Sequence, residues 1–164
     1  MTDTEILANL ELLGFGVEQW RAVALLPLLA VAWADGRVQP AERARILEVA
    51  HQERLLSGPA AQQLTRWFTH RPTDGELEVA LQVIEALAAR QPGPSIDMNE
   101  ADLRQIEERC EAVAKAAGGI LGLAFTIDSE EAVLLDTFRR RLRRAAATAF
   151  SDLPTPEQGR FEDL

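Results

Sequence analysis

The chain has 164 residues, which is enough for one domain with a substantial apolar core. Its formal net charge of -9 argues against non-specific nucleic-acid binding, and its single cysteine excludes an intrachain disulfide. Apolar residues make up 47%, aromatic residues only 5%, and tyrosine is absent. A core of leucine, alanine, valine and isoleucine therefore favours helices, and we expect an all-α, cytoplasmic protein.

Helical periodicity predicts the elements of the first half of the chain, with glycine and proline between them. A short amphipathic helix over residues 2–13 precedes an almost wholly apolar helix over 18–34. We expect the second helix to be buried at the centre of a bundle and kinked at Pro27. The apolar stripe of the first helix is predicted to comprise Ile6, Leu7, Leu10 and Leu13.

Asp35-Gly36 is predicted to end the apolar helix, and Pro40 to begin the next one. Further helical segments follow over 60–68 and up to Arg90, the latter opened by a capping box between Thr73 and Glu76.

The second half is predicted to begin after an irregular connector over residues 91–98. A helix over 99–117 breaks at Gly118-Gly119 and resumes over 120–125, and Asp128 caps a long helix reaching about Phe150. Residues 1–150 are thus expected to form one bundle of about seven to eight helices. Its related halves span about 1–90 and 98–150, and 151–164 form a flexible tail.

An internal repeat relates these halves. Residues 32–47 align without a gap on residues 121–136, which pairs Val38 with Ile127, Glu42 with Glu131 and Ile46 with Leu135. A duplicated helix–turn–helix unit explains this alignment, and chance similarity of short apolar helices is the alternative.

The stretch LLAVAWADGRVQPAERARIL (28–47) closely resembles the core motif of the TerB-like domain of tellurite-resistance proteins, and GGILGLAFTIDSEEAVLLDTF (118–138) resembles a later segment of it. The resemblance implies an all-helical bundle of two related halves, linked to tellurite and chemical stress, to phage defence and to assemblies at the inner membrane surface. It also implies divalent-metal ligands at acidic turns, with Asp35 and Glu42 at the matching positions. No reaction is implied. The second copy departs from the pattern, because Ala124-Phe125 stands where Asp-Gly is expected.

Acidic residues near the two aligned turns are therefore candidate ligands for Ca²⁺ or Mg²⁺, which prefer several oxygen ligands. They are Asp35, Glu42, Asp128, Glu130 and Glu131. The favoured alternative is that these residues only end and cap helices, since caps and turns account for the same residue types.

A second hypothesis is a metal enzyme with a carboxylate-bridged centre. Glu48 and His51 form one Glu-x-x-His pair, but such centres need two copies and further carboxylates, so chance is favoured. The third hypothesis is a structural dimerisation unit.

The basic run RRRLRR (139–144) and Trp33 are the candidate partner-binding features. Arg139, Arg140 and Arg143 are assigned to an anionic partner, either a phosphate-rich surface or an acidic protein, and Trp33 is expected to line a groove near Asp35. The alternatives for the arginines are a solvated helix face or pairing with the acidic stretch 97–111, and the solvated face is favoured. Because the residues contain no catalytic constellation, we expect a non-catalytic stress-response or protein-interaction module.

Overall fold

The computed structural model describes residues 1–90, 96–118 and 129–151 of the chain. Over those residues the protein is all helical and contains no strand, which confirms the predicted fold class. A 3₁₀ segment occupies Val17–Ala24. The α-helices are α1 (Asp3–Leu12), α2 (Leu25–Ala32), α3 (Pro40–Gln52), α4 (Gly58–Thr69), α5 (Asp74–Ala88), α6 (Glu100–Gly118) and α7 (Ser129–Ser151).

Helix α2 lies at the centre of the bundle. All eight of its residues are buried, and it packs against α3, α5, α6 and α7. The prediction of one helix kinked at Pro27 is wrong, because the 3₁₀ segment precedes α2 and Pro27 lies in the first turn of α2. A proline is tolerated there, since the first N–H groups of a helix lack intrahelical acceptors.

The irregular backbone occurs at Gln19, whose φ of -107° and ψ of 22° are not helical. Its side chain binds the start of α4: Nε2 donates to the Ser57 carbonyl at 2.8 Å, and Oε1 accepts from the Ala60 amide at 3.0 Å. The Gln19 side chain therefore provides hydrogen-bond partners for two backbone groups at the start of α4.

The predicted apolar stripe of α1 is correct except at one position. Ile6, Leu10 and Leu13 are buried, whereas Leu7 is exposed. The capping box between Thr73 and Glu76 is present, with each side chain accepting from the other residue's amide at 3.1 and 2.8 Å.

Within the described residues, the aligned segments 32–47 and 121–136 contain the starts of α3 and α7, and each of these helices packs against α2 and α6. Helix α6 packs against both α2 and α3, and α7 packs against both α2 and α6. Glu42 and Glu131 are each the third residue of their helix. Ile46 and Leu135, the next aligned pair, are both buried.

Several predictions lie outside the described residues: the Ile127 position, the cap at Asp128, the helical segment 120–125, part of the connector (91–95) and the tail (152–164). Within the described ranges, no single helix is long and apolar enough to cross a membrane. Of the helices described, α1 taken with residues Val17–Ala32 is the one pair with the required length and composition, and it is bent by 70°.

Helices α1 and α3 end in the same way, with a left-handed residue after the last turn. At the end of α1, Phe15 N donates to Leu10 O at 2.9 Å and Gly14 has a φ of 82°. At the end of α3, Leu55 N donates to Ala50 O at 2.8 Å, but the left-handed residue is Arg54, with a φ of 59°. A residue with a Cβ is strained in this conformation.

Arg54→Gly is therefore expected to raise the free energy of unfolding by about 0.5–1 kcal/mol, because relief of strain exceeds the added chain entropy. Gly14→Ala tests the reverse change and should destabilise the protein. Urea denaturation of both variants checks the pair of predictions, and a destabilised Arg54→Gly protein would contradict the first.

Candidate functional site

The candidate site is the corner between the end of α2 and the starts of α3 and α7. Gly36 makes the turn after α2, with a φ of 92° that favours glycine. The Asp35 carboxylate accepts from Arg37 N at 3.2 Å and from Gln39 Nε2 at 3.3 Å. These bonds hold the turn in place and leave Asp35 itself exposed.

Glu42 and Glu131 are the buried carboxyl groups of this corner, with 0% and 3% of their surface exposed. Glu42 Oε2 accepts from the backbone N of Gln39 at 2.7 Å, which is one half of a capping box. Its other oxygen, Oε1, is buried and accepts no hydrogen bond from an N–H or hydroxyl group of the described residues. The Glu42 carboxyl group lies within hydrogen-bonding range of the Glu131 side chain.

Burial raises the pKa of Glu42 to about 7, because the ionised form loses its hydration. The Gln39 amide opposes this shift, and the nearby carboxylates of Glu131 and Asp35 add to it. The Glu42 carboxyl therefore keeps its proton to a higher pH than an exposed glutamate does. A proton held there can bridge two acidic side chains that would otherwise repel each other.

The predicted metal ligands are only partly brought together. Glu42 and Glu131 meet, and Asp35 lies close enough to raise the pKa of Glu42. Glu130 is exposed, and Asp128 lies outside the described residues. Among the residues the structure describes, no three Asp, Glu, His or Cys side chains form a group that could hold a metal ion.

The gapless repeat pairs Glu42 with Glu131, but nothing in the sequence indicates that both carboxyls are buried. Helix-capping carboxylates are usually exposed, so their spacing alone predicts two solvated caps.

The Glu-x-x-His pair of α3 does not face the core. Glu48 and His51 are both exposed, and Glu48 binds Arg45 on the same helix at 2.8 Å. The inward orientation that the metal-enzyme hypothesis requires is therefore not found. Cys110 is fully buried, and burial raises the pKa of its thiol above the ordinary value, so the thiolate is disfavoured.

The arginines of α7 differ in their partners. Arg139 binds Glu107 of α6. Glu107 belongs to the acidic stretch 97–111, which was one of the predicted partners of the basic run. Arg141 binds α5, donating to both oxygens of Glu78 at 2.7 and 2.8 Å and also to Glu85. These two side chains hold α7 against its neighbours.

The remaining arginines of this run are turned outward. Arg140 binds Asp136 on its own helix, and Arg143 lies 3.7 Å from Glu107. No ion pair is found for Arg144 among the described residues.

Trp33 is also used inside the protein. Its Nε1 donates to the carbonyl of Trp67 at 2.7 Å, which ties the end of α2 to the end of α4. The side chain is half-buried next to the Asp35 turn, so only part of it is accessible to a partner.

The assignment of function therefore depends on the chemistry of the acidic corner and on the surface of α7. Comparisons of this chain with models of known protein families, with curated proteins and with solved structures find no match.

Proposed function

We propose that the protein is a non-catalytic, TerB-like stress-response and protein-interaction module with a weak divalent-cation site at the corner of α3 and α7. The observation that supports the cation site is the buried contact between the Glu42 and Glu131 carboxyl groups, where Glu42 Oε1 accepts no hydrogen bond from an N–H or hydroxyl group of the described residues. The resemblance of residues 28–47 to the TerB-like motif supports the link to tellurite and chemical stress.

Burial of two adjacent carboxyl groups is costly when both are ionised. Each buried charge costs several kcal/mol unless it is compensated, and the two groups also repel each other. A shared proton or a bound cation removes the repulsion. At neutral pH the proton on Glu42 is weakly held, because its pKa is about 7, and a divalent cation can therefore replace it.

Mg²⁺ suits such a corner better than Ca²⁺. Mg²⁺ is commonly bound through one or two carboxylates and keeps several waters, whereas Ca²⁺ takes six to eight oxygen ligands. With two buried carboxylates as its principal ligands, the site is expected to be weak, with a Kd on the order of 10⁻³ M.

Addition of 10 mM MgCl₂ to chelator-treated protein at pH 7.5 should raise the free energy of unfolding by about 1.4 kcal/mol if the Kd is about 1 mM. Urea denaturation with and without the salt measures this change, and CaCl₂ and MnCl₂ show which cation is preferred. Glu42→Gln and Glu131→Gln should abolish the effect.

Glu48→Gln is the matched control, because Glu48 lies exposed on the same helix as Glu42. This substitution is expected to leave the stabilisation by the cation unchanged. Sodium chloride at the same ionic strength controls for screening. An equal response of wild type and Glu42→Gln would exclude the corner as the cation site.

The interaction part of the proposal concerns a protein partner, either free or in an assembly at the inner membrane surface. The physiological setting is proposed from the TerB-like resemblance alone. Normal growth on tellurite after deletion of the gene from its host would remove tellurite from the proposal.

A further inference from the structure

The basic run of α7 is divided by the fold into an inward and an outward set. Arg139 and Arg141 hold α7 against α6 and α5 through Glu107, Glu78 and Glu85. Arg140 and Arg143 are 76% and 71% exposed. Arg144 is exposed as well, so three guanidinium groups remain at the surface.

The outward set belongs to a continuous stripe of α7. Val133, Thr137, Arg140 and Arg144 recur at intervals of four, three and four residues, which places them on one helix face. The stripe is about 16 Å long, since each residue advances the helix by about 1.5 Å. Val133 is 69% exposed at its N-terminal end, and Arg143 lies beside its C-terminal end.

We propose that this stripe, together with Arg143, is a docking surface for an acidic amphipathic segment of a partner protein. Val133, Arg140, Arg143 and Arg144 are called the arginine ridge below. Guanidinium groups bind carboxylates through paired hydrogen bonds, and Val133 supplies an apolar contact for one side chain of the partner.

The existing ion pairs of the ridge are weak enough to be exchanged. Arg140 and Asp136 are neighbours on one exposed helix face, a kind of pair that contributes at most about 1 kcal/mol. Arg143 is 3.7 Å from Glu107, which Arg139 also binds. A partner carboxylate therefore displaces little when it binds these arginines.

The grooves on either side of α7 favour one approach. The groove between α6 and α7, about 380 Å³ in volume, is lined by two arginines, Arg104 and Arg143, and by more glutamates, which repel an acidic partner. These glutamates are Glu100, Glu107, Glu108 and Glu111. The groove between α5 and α7, about 470 Å³, is lined by Arg144, Ala145, Thr148 and Ala89, with Glu85 bound to Arg141. An acidic segment is expected to lie over the ridge and toward α5.

A protein segment fits this surface better than a nucleic acid or an anionic membrane. The chain carries a net charge of -9, so an extended polyanion is repelled by the surface around the ridge. A short acidic segment contacts only the arginine ridge, where three exposed arginines lie close together. The ridge is also separate from the acidic corner, because Glu131 lies buried near the start of α7.

The probe for this surface is a fluorescently labelled 16-residue helical peptide with glutamates three and four residues apart and one central leucine. Fluorescence anisotropy should show binding that weakens as salt is added. The triple variant Arg140→Gln/Arg143→Gln/Arg144→Gln should raise the Kd at least tenfold. A triple variant Arg37→Gln/Arg45→Gln/Arg71→Gln changes the net charge equally at exposed arginines elsewhere and should raise it less than twofold.

Three outcomes would overturn the proposal: no binding of the acidic peptide by wild type, equal weakening in both triple variants, or tighter binding of a lysine-for-glutamate version of the peptide. Vesicles of phosphatidylcholine and phosphatidylglycerol and a 20-base-pair DNA duplex complete the set of probes. Binding of either one that is lost on mutation of the ridge would assign the surface to that class of partner instead. Chelator-treated protein should bind the acidic peptide as well as Mg²⁺-loaded protein, which separates this result from the cation site.

Discussion

In chelator-treated protein, the free energy of unfolding is expected to fall by about 2–3 kcal/mol as the pH is raised from 5 to 8. The responsible group is Glu42, whose pKa is raised from 4.5 to about 7 by burial and by its acidic neighbours. In the unfolded chain the same carboxyl is hydrated and ionises at its ordinary pKa. The folded protein therefore binds a proton that the unfolded chain has already released.

The sign of the effect follows from this difference. A raised pKa in the folded state contributes stability that is fully present below the unfolded pKa of 4.5. That stability is lost as the pH rises through 7, because folding must then either take up a proton or bury an ionised Glu42. Most surface carboxylates instead make the folded protein more stable as the pH rises. A protein without such a buried pair is expected to have a nearly constant free energy of unfolding between pH 5 and pH 8.

Three other carboxyl groups, those of Glu76, Glu78 and Glu111, change the free energy of unfolding in the opposite direction and at lower pH. The pKa values of Glu76, Glu78 and Glu111 are lowered, with hydrogen bonds and charges from Thr73, Arg66, Arg141 and Lys115 exceeding the cost of burial. Stability from these groups is present above the unfolded pKa and is lost only as the pH falls below about 4.5. The interval from pH 5 to pH 8 therefore reports on the buried pair of Glu42 and Glu131 and not on these three groups.

Glu42→Gln should remove most of the pH dependence and make the variant more stable than wild type at pH 8. The amide is similar in size to the carboxyl, its oxygen can still accept from Gln39 N, and its NH₂ group can donate to Glu131. Urea denaturation at pH 5, 6, 7 and 8 measures the change. Glu48→Gln should retain the slope of wild type, and a Glu42→Gln protein with that same slope would show that Glu42 does not titrate as described.

The sequence predicted the helices well because their determinants are local. Capping residues, glycines and apolar spacing set the starts of α3 and α5 and the end of α1, and these places agree with the structure. The 3₁₀ segment was not predictable, since it depends on hydrogen bonds from Gln19 to Ser57 and Ala60, which are distant in the chain. The spacing of apolar residues cannot predict a hydrogen bond between residues that are so far apart in the chain.

The sequence predicts which residues form the candidate site, but it does not predict their burial or the raised pKa of Glu42. Alignment of the halves pairs Glu42 with Glu131, and the structure buries both at the third position of their helices. The raised pKa arises from their mutual proximity and burial, which are tertiary properties. The same limit applies to the arginines of α7, whose inward and outward sets depend on where α5 and α6 lie.

Trp67→Ala is expected to destabilise the protein by about 3–5 kcal/mol, a large share of the stability of a domain of this size. Trp67 is fully buried, and its ring meets that of Phe15 edge-on, with centroids 5.7 Å apart. Its carbonyl also accepts the bond from Trp33. Removal of the indole would leave a large cavity between α4 and the segment that follows α1.

Trp67→Phe should cost much less, because the Trp67 indole N–H has no partner among the described residues. An unpaired buried donor costs about 1–3 kcal/mol, so its removal offsets part of the lost packing. Trp33→Phe should cost about 1 kcal/mol, since it removes one hydrogen bond and leaves the Trp67 carbonyl unpaired. Urea denaturation followed by circular dichroism ranks the three variants. A Trp67→Phe protein as unstable as Trp67→Ala would mean that the indole N–H is satisfied in solution, by a water molecule or by residues beyond those described.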